Sequence, residues 1–328
     1  MKFLIAGLGS IGRRHLRHLV DLGEQDILLY RTHQSTLPDD ELAAYPVETD
    51  LQTALGHKPD AVIISNPTAL HLDVAIPAAK AGCHILLEKP VSDSIARLDE
   101  LQTAAAASGA QILVGFQFRY HPGLEKAAEI LENGKLGKPL SFRAHWGEYL
   151  PDWHPWEDFR KSYSARKDLG GGVILTLTHA LDYMHWLLGE VASVWAFSGQ
   201  LSSLGLEVED SAEIGLKFSS GALGSVHLNY TQQPARHQLE IVCDQGTISW
   251  DNDANALQVY AAEQKGWETF PLPDGFERDF LFRSQMAHFL QVAAGKTAPR
   301  CSLDDGILAL KLALAADQSA REECIVKM

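Results

Sequence analysis

Residues 1–12 read MKFLIAGLGSIG, a short apolar run that leads directly into the pattern G-x-G-x-x-G at Gly7, Gly9 and Gly12. Where such a turn joins a strand to a helix, the first glycine permits a tight turn and the second lets the backbone approach a pyrophosphate. The third lets the helix pack closely on the strand. The helix N-terminus then offers free N–H groups and a partial positive charge to phosphates. The stretch therefore predicts a dinucleotide site, although glycine-rich turns also occur for packing alone.

The chain after these glycines alternates between apolar strands and amphipathic helices. Apolar strands separated by such helices indicate a parallel sheet that is covered on both faces. We therefore expect an α/β fold that begins with a Rossmann domain over residues 1–120. The predicted strands are 3–6, 26–30, 61–65, 84–88 and 111–116, and the predicted helices are 10–22, 50–55, 69–80 and 92–107.

The second half of the chain changes character after the turn-rich segment 134–139 (GKLGKP). Strand-like runs follow one another across short turns, which implies antiparallel pairing. We expect residues 121–328 to form an α+β domain for substrate binding and oligomerisation, with a large, mostly antiparallel open sheet and helices on one side. The free face of such a sheet needs cover, which favours a homo-oligomer (dimer or tetramer). The predicted strands are 140–146, 191–199, 213–218, 222–230, 238–243, 247–251 and 257–261, and the helices are 278–294 and 302–320.

Composition narrows the class of protein. The 328 residues are 46% hydrophobic and 21% charged, as in ordinary globular proteins. A formal net charge of -14 argues against nucleic acid or an acidic membrane surface as a partner. We find neither a signal peptide nor a membrane-spanning run. The four cysteines lack the C-x-x-C spacing of metal and redox sites, so we expect no metal, free thiols and a cytoplasmic location.

Five short motifs stand in order along the chain. They are GLGSIG at 7–12 with His15; Asn66-Pro67-Thr68 with His71; Glu88-Lys89-Pro90; Gly115-Phe116-Gln117 with Arg119, Tyr120 and Pro122; and Gly170-Gly171-Gly172 with His179 and Asp182. With these motifs the chain resembles the Gfo/Idh/MocA family (glucose–fructose oxidoreductase, inositol dehydrogenase, rhizopine catabolism) over nearly its whole length. The resemblance implies hydride transfer between a nicotinamide and a hydroxyl-bearing carbon of a sugar, cyclitol or nucleotide-sugar derivative. His15 and His18 both lie on the first predicted helix, and we interpret them as surface or packing residues.

Lys89 is the first candidate catalytic residue. It follows a predicted strand whose carboxyl end faces the cofactor crevice of a Rossmann sheet. An ammonium there can hold a developing oxyanion and assist removal of the hydroxyl proton. The resemblance implies this role for Lys89, whereas its position alone leaves a solvated lysine at a strand end equally open.

His179 is the second candidate. The resemblance implies that it acts as the acid or base, commonly helped by an aspartate a few residues earlier. Here Thr176 stands where that aspartate often lies, and a threonine cannot serve as a carboxylate partner. A neutral imidazole is still a reasonable proton acceptor. The alternatives are a packed histidine at a helix start, and for Asp182 a carboxylate with a structural partner.

The residue after the second strand bears on cofactor choice. NAD sites place Asp or Glu there for the ribose diol, but this chain has Arg31 followed by Thr32. A guanidinium and a hydroxyl suit a 2′-phosphate, so NADP is favoured over NAD; an Arg31 that stacks on adenine is the alternative. The predicted cofactor contacts are Gly7, Gly9, Ser10, Ile11, Gly12, Arg31, Thr32, Asn66, Pro67, Thr68, His71, Glu88, Lys89 and Gln117.

Residues 150–160 (LPDWHPWEDFR) combine aromatic and charged side chains in one loop-like stretch. Aromatic faces suit sugar rings, but the same residue types dominate subunit contacts, and both readings stay open. Arg160, Arg166 and Lys167 could hold a carboxylate or phosphate. The predicted substrate contacts are Arg119, Trp153, Arg160, Tyr163, Thr176, His179 and Asp182.

Three functions agree with these features. The favoured one is an NAD(P)-dependent oxidoreductase acting on a small sugar-like molecule. A second is the NAD-dependent glycosidase activity found on the same fold, which leaves no net reduced cofactor. A third is a non-catalytic dinucleotide-sensing regulatory protein. Thr176 motivates the third function, and the presence of Lys89 and His179 argues against it.

Overall fold

A computed structural model describes residues 1–32, 37–38, 40–254 and 256–328. The chain forms two compact units, residues 1–117 with 277–307 and residues 118–276 with 308–328. The division expected at residue 120 placed 277–307 in the second domain, and here the structure differs. The helix Asp279–Ala293 joins the first unit because its Met286 and Phe289, both 0% exposed, belong to that unit's hydrophobic core.

The first unit contains a six-stranded sheet in the order β3-β2-β1-β4-β5-β6. Its neighbouring strands all pair in parallel. This arrangement confirms the predicted Rossmann-type sheet, in which the strand order reverses between β1 and β4 and opens a crevice at the carboxyl ends. The strands are β1 (Lys2–Ala6), β2 (Asp26–Tyr30), β3 (Val47–Glu48), β4 (Ala61–Ile64), β5 (His84–Leu87) and β6 (Ile112–Val114).

The helices of this unit lie close to their predicted positions, with one exception. They are α1 (Ser10–Asp21), α2 (Leu51–Gly56), α3 (His71–Lys80) and α4 (Leu98–Ser108). The helix expected from residue 92 begins only at Leu98. The Ser92 hydroxyl accepts a hydrogen bond from the Ser94 N–H at 3.4 Å, which is a local turn. Arg97 then adopts a left-handed backbone with φ 64°, so the helix cannot extend further back.

The second unit is built on a nine-stranded sheet in the order β14-β13-β12-β11-β7-β10-β9-β8-β15. Among the described residues of this sheet, β7 and β10 are the one parallel pair, which confirms the mostly antiparallel sheet. The two edge strands β14 and β15 were not predicted, because one is largely exposed and the other is two residues long. The strands are β7 (Pro139–Gly147), β8 (Val191–Gly199), β9 (Ser211–Phe218), β10 (Leu223–Asn229), β11 (Arg236–Cys243), β12 (Gly246–Asp251), β13 (Ala256–Ala261), β14 (Gly266–Pro271) and β15 (Val326–Lys327).

The remaining helices are α5 (Pro122–Glu132), α6 (Val173–Thr176), α7 (His179–Leu188), α8 (Asp279–Ala293) and α9 (Leu303–Glu322). Sequence analysis did not predict α5, although Pro122 at its first position is a common helix start. In the second unit α5 packs on β12 and β13, and α7 packs on β7. Short 3-10 turns cover Asp40–Leu42, Thr68–Leu70, Gln117–Tyr120, Leu150–Asp152, Phe159–Lys161, Tyr163–Ala165 and Lys167–Leu169.

The other face of the large sheet carries exposed apolar side chains. In β8, Val194 and Ala196 are buried, whereas Trp195 is 39% and Phe197 71% exposed. The Trp195 indole lies over Gly215 of the neighbouring strand, where a Cβ atom would collide with it. Within the described part of the chain, every helix is too short or too polar to cross a membrane.

Candidate active site

The glycine turn after β1 fits a pyrophosphate. Gly7 has φ +91°, and a Cβ atom there would collide with the backbone of Asn66. A Cβ atom on Gly12 would collide with the Gly7 carbonyl, so the first and third glycines are needed for packing. A Cβ atom on Gly9 would meet nothing within 4 Å. The space beside Gly9 is open, which is what close approach by a phosphate requires.

The N-terminus of α1 stands next to this space. Gly9 is its N-cap residue, and the described residues provide neither a side-chain cap nor an acidic residue in the first turn. The N–H groups of Ser10, Ile11 and Gly12 are thus available to an anion. Ser65 braces the turn, because its hydroxyl donates to the Gly7 carbonyl at 2.9 Å.

His71 connects the segments that follow β4 and β5. Its Nδ1 lies 2.8 Å from the Pro90 carbonyl oxygen and its Nε2 lies 2.9 Å from the Asn66 carbonyl oxygen. The side chain is 1% exposed, and burial lowers the pKa of His71. Both ring nitrogens face backbone, so the structure places His71 as a brace behind Asn66. A direct cofactor contact by His71 stays a prediction.

A buried carboxylate precedes Lys89. Glu88 Oε1 lies 2.7 Å from His15 Nε2, and Glu88 Oε2 accepts from the Lys89 N–H at 3.3 Å. Burial is the largest influence on the pKa of Glu88 and acts to raise it, but the hydrogen bond and charge of His15 together with the charge and backbone N–H of Lys89 lower the pKa overall. Glu88 is therefore ionised at neutral pH. Lys89 directly follows it and is half-buried.

The other predicted cofactor residues of the first unit occupy loops after its strands. Arg31 follows β2, is 8% exposed and donates its backbone N–H to the Glu48 carbonyl at 3.1 Å. Thr32 is exposed, whereas Thr68 and Gln117 are each 2% exposed. Because Arg31 is buried, its side chain has little contact with solvent. Its contact with a 2′-phosphate stays a prediction.

In the second unit, a glycine turn leads through α6 to His179. Gly170 and Gly172 have φ +79° and +112°, in the region that favours glycine. A side chain on Gly171 would collide with the carbonyls of residues 163, 164 and 166, so the turn packs against that loop. His179 is the first residue of α7 and is 2% exposed. Its ring packs on Phe118, with ring centres 5.2 Å apart.

Asp182 lies one turn after His179 on α7, and it forms a buried ion pair with Arg119. Arg119 Nη2 donates to Asp182 Oδ1 at 2.7 Å, and Nε donates to both carboxylate oxygens. The two side chains are 4% and 1% exposed. The structure thus gives Asp182 a structural partner. Substrate contact by either residue stays a prediction.

The predicted substrate residues of the segment 150–167 differ in how far they are buried. Trp153 is half-buried against Tyr230, with ring centres 5.5 Å apart. Arg160 is exposed and donates from Nε to the Leu204 carbonyl at 3.2 Å. Tyr163 is half-buried, whereas Arg166 and Lys167 are exposed and Arg166 pairs with Asp168. Substrate contact by Trp153, Arg160 and Tyr163 stays a prediction.

Sequence analysis missed Glu209, which packs on the glycine turn. Its Oε1 accepts from the Ile174 N–H at 3.1 Å, and its carboxyl group occupies the place of the side chain that Gly172 lacks. Burial raises the pKa of Glu209 to about 7. The space that the Glu209 carboxyl group fills exists because residue 172, 37 positions earlier in the chain, is a glycine. No local pattern around Glu209 marks such a contact.

Comparisons with known proteins agree over the whole chain. The family model "Oxidoreductase family, NAD-binding Rossmann fold" matches residues 1–116, and "GFO/IDH/MocA C-terminal domain" matches residues 124–249. Myo-inositol 2-dehydrogenase from Thermotoga maritima is 28% identical, covering 100% of this chain and 98% of the relative. D-xylose 1-dehydrogenase (NADP(+)) 2 from Haloferax volcanii is 25% identical, covering 100% of both chains.

A solved structure of levoglucosan dehydrogenase, in complex with NADH and levoglucosan, has the same fold. Its TM-score is 0.85 at 22% sequence identity, covering 100% of this chain and 99% of that one. The residues that the two family models match include the glycine turn, the Glu88-Lys89 segment and the His179 helix. The chain therefore belongs to the Gfo/Idh/MocA family of NAD(P)-dependent oxidoreductases.

Proposed function

We propose that this protein transfers a hydride between a nicotinamide cofactor and a hydroxyl-bearing carbon of a sugar, cyclitol or nucleotide-sugar derivative. The observation that carries the proposal is the set of groups at the carboxyl ends of the strands in the first unit. An open glycine turn and an uncapped helix N-terminus stand on the same sheet as an ionised Glu88 and the lysine that follows it. The named activities of the inositol, xylose and levoglucosan dehydrogenases support the substrate class.

The proposed roles follow from the chemistry of each side chain. The turn at Gly7, Gly9 and Gly12 holds the pyrophosphate, with Ser10 and Ile11 donating backbone N–H groups. The bound nicotinamide accepts or donates the hydride. Lys89 holds the substrate oxygen on which charge develops, and a donor aimed at such an oxygen is a large catalytic contribution.

His179 takes or returns the hydroxyl proton in this proposal. Thr176 cannot assist by charge, and Asp182 is already neutralised by Arg119. Phe118 and Trp146 pack on its ring and limit the orientations that it can take.

We further propose a preference for NADP, because β2 is followed by Arg31 and Thr32 in place of an acid. The test is a titration of the purified protein with NADPH and NADH, followed by energy transfer from tryptophan. Tighter NADPH binding that is lost in Arg31→Ala supports the preference. Equal binding of both cofactors refutes the preference and leaves the oxidoreductase proposal intact.

The proposal also includes a cytoplasmic homo-oligomer (dimer or tetramer). The described cysteines are free thiols, as is usual in a reducing compartment. The exposed Trp195, Phe197 and Leu223 on the outer sheet face are the kind of apolar surface that a subunit contact covers. Light scattering on the wild type and on Phe197→Glu tests this part, since a monomeric wild type would refute it.

The deciding experiment is a substrate screen. Myo-inositol, levoglucosan, D-xylose and nucleotide-sugars are each incubated with NADP⁺ or NAD⁺, and the absorbance of reduced nicotinamide is followed. A steady rise with at least one of them supports the proposal. Release of a free sugar from a glycoside without net reduced cofactor would instead show the glycosidase function. Cofactor binding without any turnover across the panel would favour the regulatory protein.

A further inference from the structure

His15 and Glu88 form a buried polar pair near the carboxyl end of β5. His15 is 0% and Glu88 8% exposed, and their side chains meet at 2.7 Å. The other ring nitrogen of His15, Nδ1, is buried without a hydrogen-bond partner among the described residues. Among the described residues, the polar group that the His15 ring contacts is therefore the Glu88 carboxylate. Such an arrangement costs desolvation free energy, so a purely packing role would be served better by an apolar side chain.

The surroundings make room for the carboxylate and keep it charged. A Cβ atom on Gly115, which directly follows β6, would lie 3.0 Å from the carboxyl carbon and from both oxygens of Glu88. The charged and titratable groups that face Glu88 are His15 and Arg14 from α1, His71 from α3, and Lys89 beside it. The His15 side chain makes a direct hydrogen bond to Glu88. Loss of that contact shifts the balance toward the neutral acid, because burial of Glu88 acts in that direction.

Oxidised and reduced nicotinamides differ in charge. The oxidised ring is a cation and the reduced ring is neutral, whereas the rest of the cofactor is the same in both. A fixed negative charge at the crevice edge therefore stabilises the oxidised form more than the reduced form, and burial strengthens the effect. Glu88 follows β5, whose carboxyl end borders the crevice in which this fold binds dinucleotides.

We propose that Glu88 gives the cofactor site a preference for the oxidised over the reduced nicotinamide, and that His15 is the positioning residue that keeps Glu88 ionised. This inference rests on the proposed function only in requiring that the protein binds a nicotinamide dinucleotide. It assigns His15 a role in redox discrimination rather than in packing. It also separates the task of Glu88 from that of Lys89, which acts on the substrate oxygen.

The test compares dissociation constants for NADP⁺ and NADPH, and for NAD⁺ and NADH, in the absence of substrate. In Glu88→Gln the preference for the oxidised form should fall by about fivefold or more, because the amide keeps the shape and loses the charge. An equal loss of affinity for both forms would mean that Glu88 only supports the backbone, and it would overturn the proposal.

His15→Leu removes the donor and leaves the carboxyl group in place. Between about pH 6.5 and about pH 8.5 its preference for the oxidised form should rise more steeply with pH than in the wild type, because loss of the His15 donor lets burial shift the Glu88 carboxyl group toward its neutral form. Glu88→Gln cannot show this pH dependence. His15→Gln keeps a donor and should retain the wild-type ratio. A ratio in His15→Leu that equals wild type at both pH values would refute the role of His15.

His18→Leu is the matched control. His18 lies one turn further along α1, is 3% exposed, and faces Asp279 at 3.3 Å. Its replacement should leave the oxidised-to-reduced ratio unchanged. Failure of the wild type to bind either cofactor form would instead refute the proposed function. Binding with an unaltered ratio in Glu88→Gln would refute this inference alone.

Discussion

Replacement of Glu209 by glutamine should change how the stability of the protein depends on pH. Glu209 packs into the space above Gly172, and its Oε1 accepts a hydrogen bond from the Ile174 N–H at 3.1 Å. Burial and the charges of Asp317 and Asp210 raise the pKa of Glu209 from 4.5 to about 7. A glutamine has the same shape and keeps an acceptor for Ile174, so the variant removes the titration and little else.

The sign follows from proton linkage. Between pH 4.5 and about 7 the folded state holds a proton on Glu209 that the unfolded state has released, because the pKa of Glu209 is higher in the folded state. The resulting stabilisation is complete below pH 4.5 and is lost as pH rises through about 7. One pKa unit corresponds to about 1.4 kcal/mol, and partial exposure of Glu209 reduces the full effect. The expected loss between pH 5 and pH 8 is about 2 kcal/mol.

The assay is urea unfolding of wild type and Glu209→Gln at pH 5, 6.5 and 8. The free energy of unfolding of the variant relative to wild type should rise by about 2 kcal/mol from pH 5 to pH 8. Glu207→Gln is the control, because Glu207 is exposed two residues earlier and should leave the pH dependence unchanged. A difference between Glu209→Gln and wild type that stays constant over this range, or falls with pH, would refute the reasoning.

Further substitutions test the other parts of the site. Lys89→Ala should lower kcat by about 100-fold or more on any substrate found, because it removes a donor to the reacting oxygen; a wild-type rate in stopped-flow assays would refute that role. Gly9→Val should weaken dinucleotide binding by calorimetry and leave Tm unchanged, whereas Gly12→Val should lower Tm, because only the second side chain collides with the backbone. Equal Tm values for the two variants would contradict this difference. Asp182→Asn removes the carboxylate that pairs with the buried Arg119 and should destabilise the protein by about 3–5 kcal/mol in urea, and a cost below about 1 kcal/mol would refute a large contribution from this ion pair.

Much of the fold could be predicted because its signals are local. The strands Asp26–Tyr30 and Val191–Gly199 have their predicted bounds, since each is an apolar or alternating run that ends at turn residues. The exceptions also have local causes. The helix Leu98–Ser108 starts late because the Ser92 hydroxyl bonds to the Ser94 N–H and Arg97 is left-handed, and a helix pattern in the sequence does not reveal either feature.

The candidate site divides in the same way. The sequence by itself determined the glycine turn and the strands after which Lys89 and Arg31 come, because backbone conformation depends on short-range sterics and on the period of apolar residues. The sequence also indicated His179 as a candidate acid or base, but it did not predict that Phe118 and Trp146 pack on the His179 ring.

Only the tertiary structure decided which distant side chains meet. It pairs His15 with Glu88 across 73 positions and Arg119 with Asp182 across 63. It places Glu209 on Gly172 and packs the helix Asp279–Ala293 into the first unit. These contacts form because burying apolar surface brings remote segments together, and each buried charge must then find a partner where the packing leaves it. No local pattern in the chain encodes that choice.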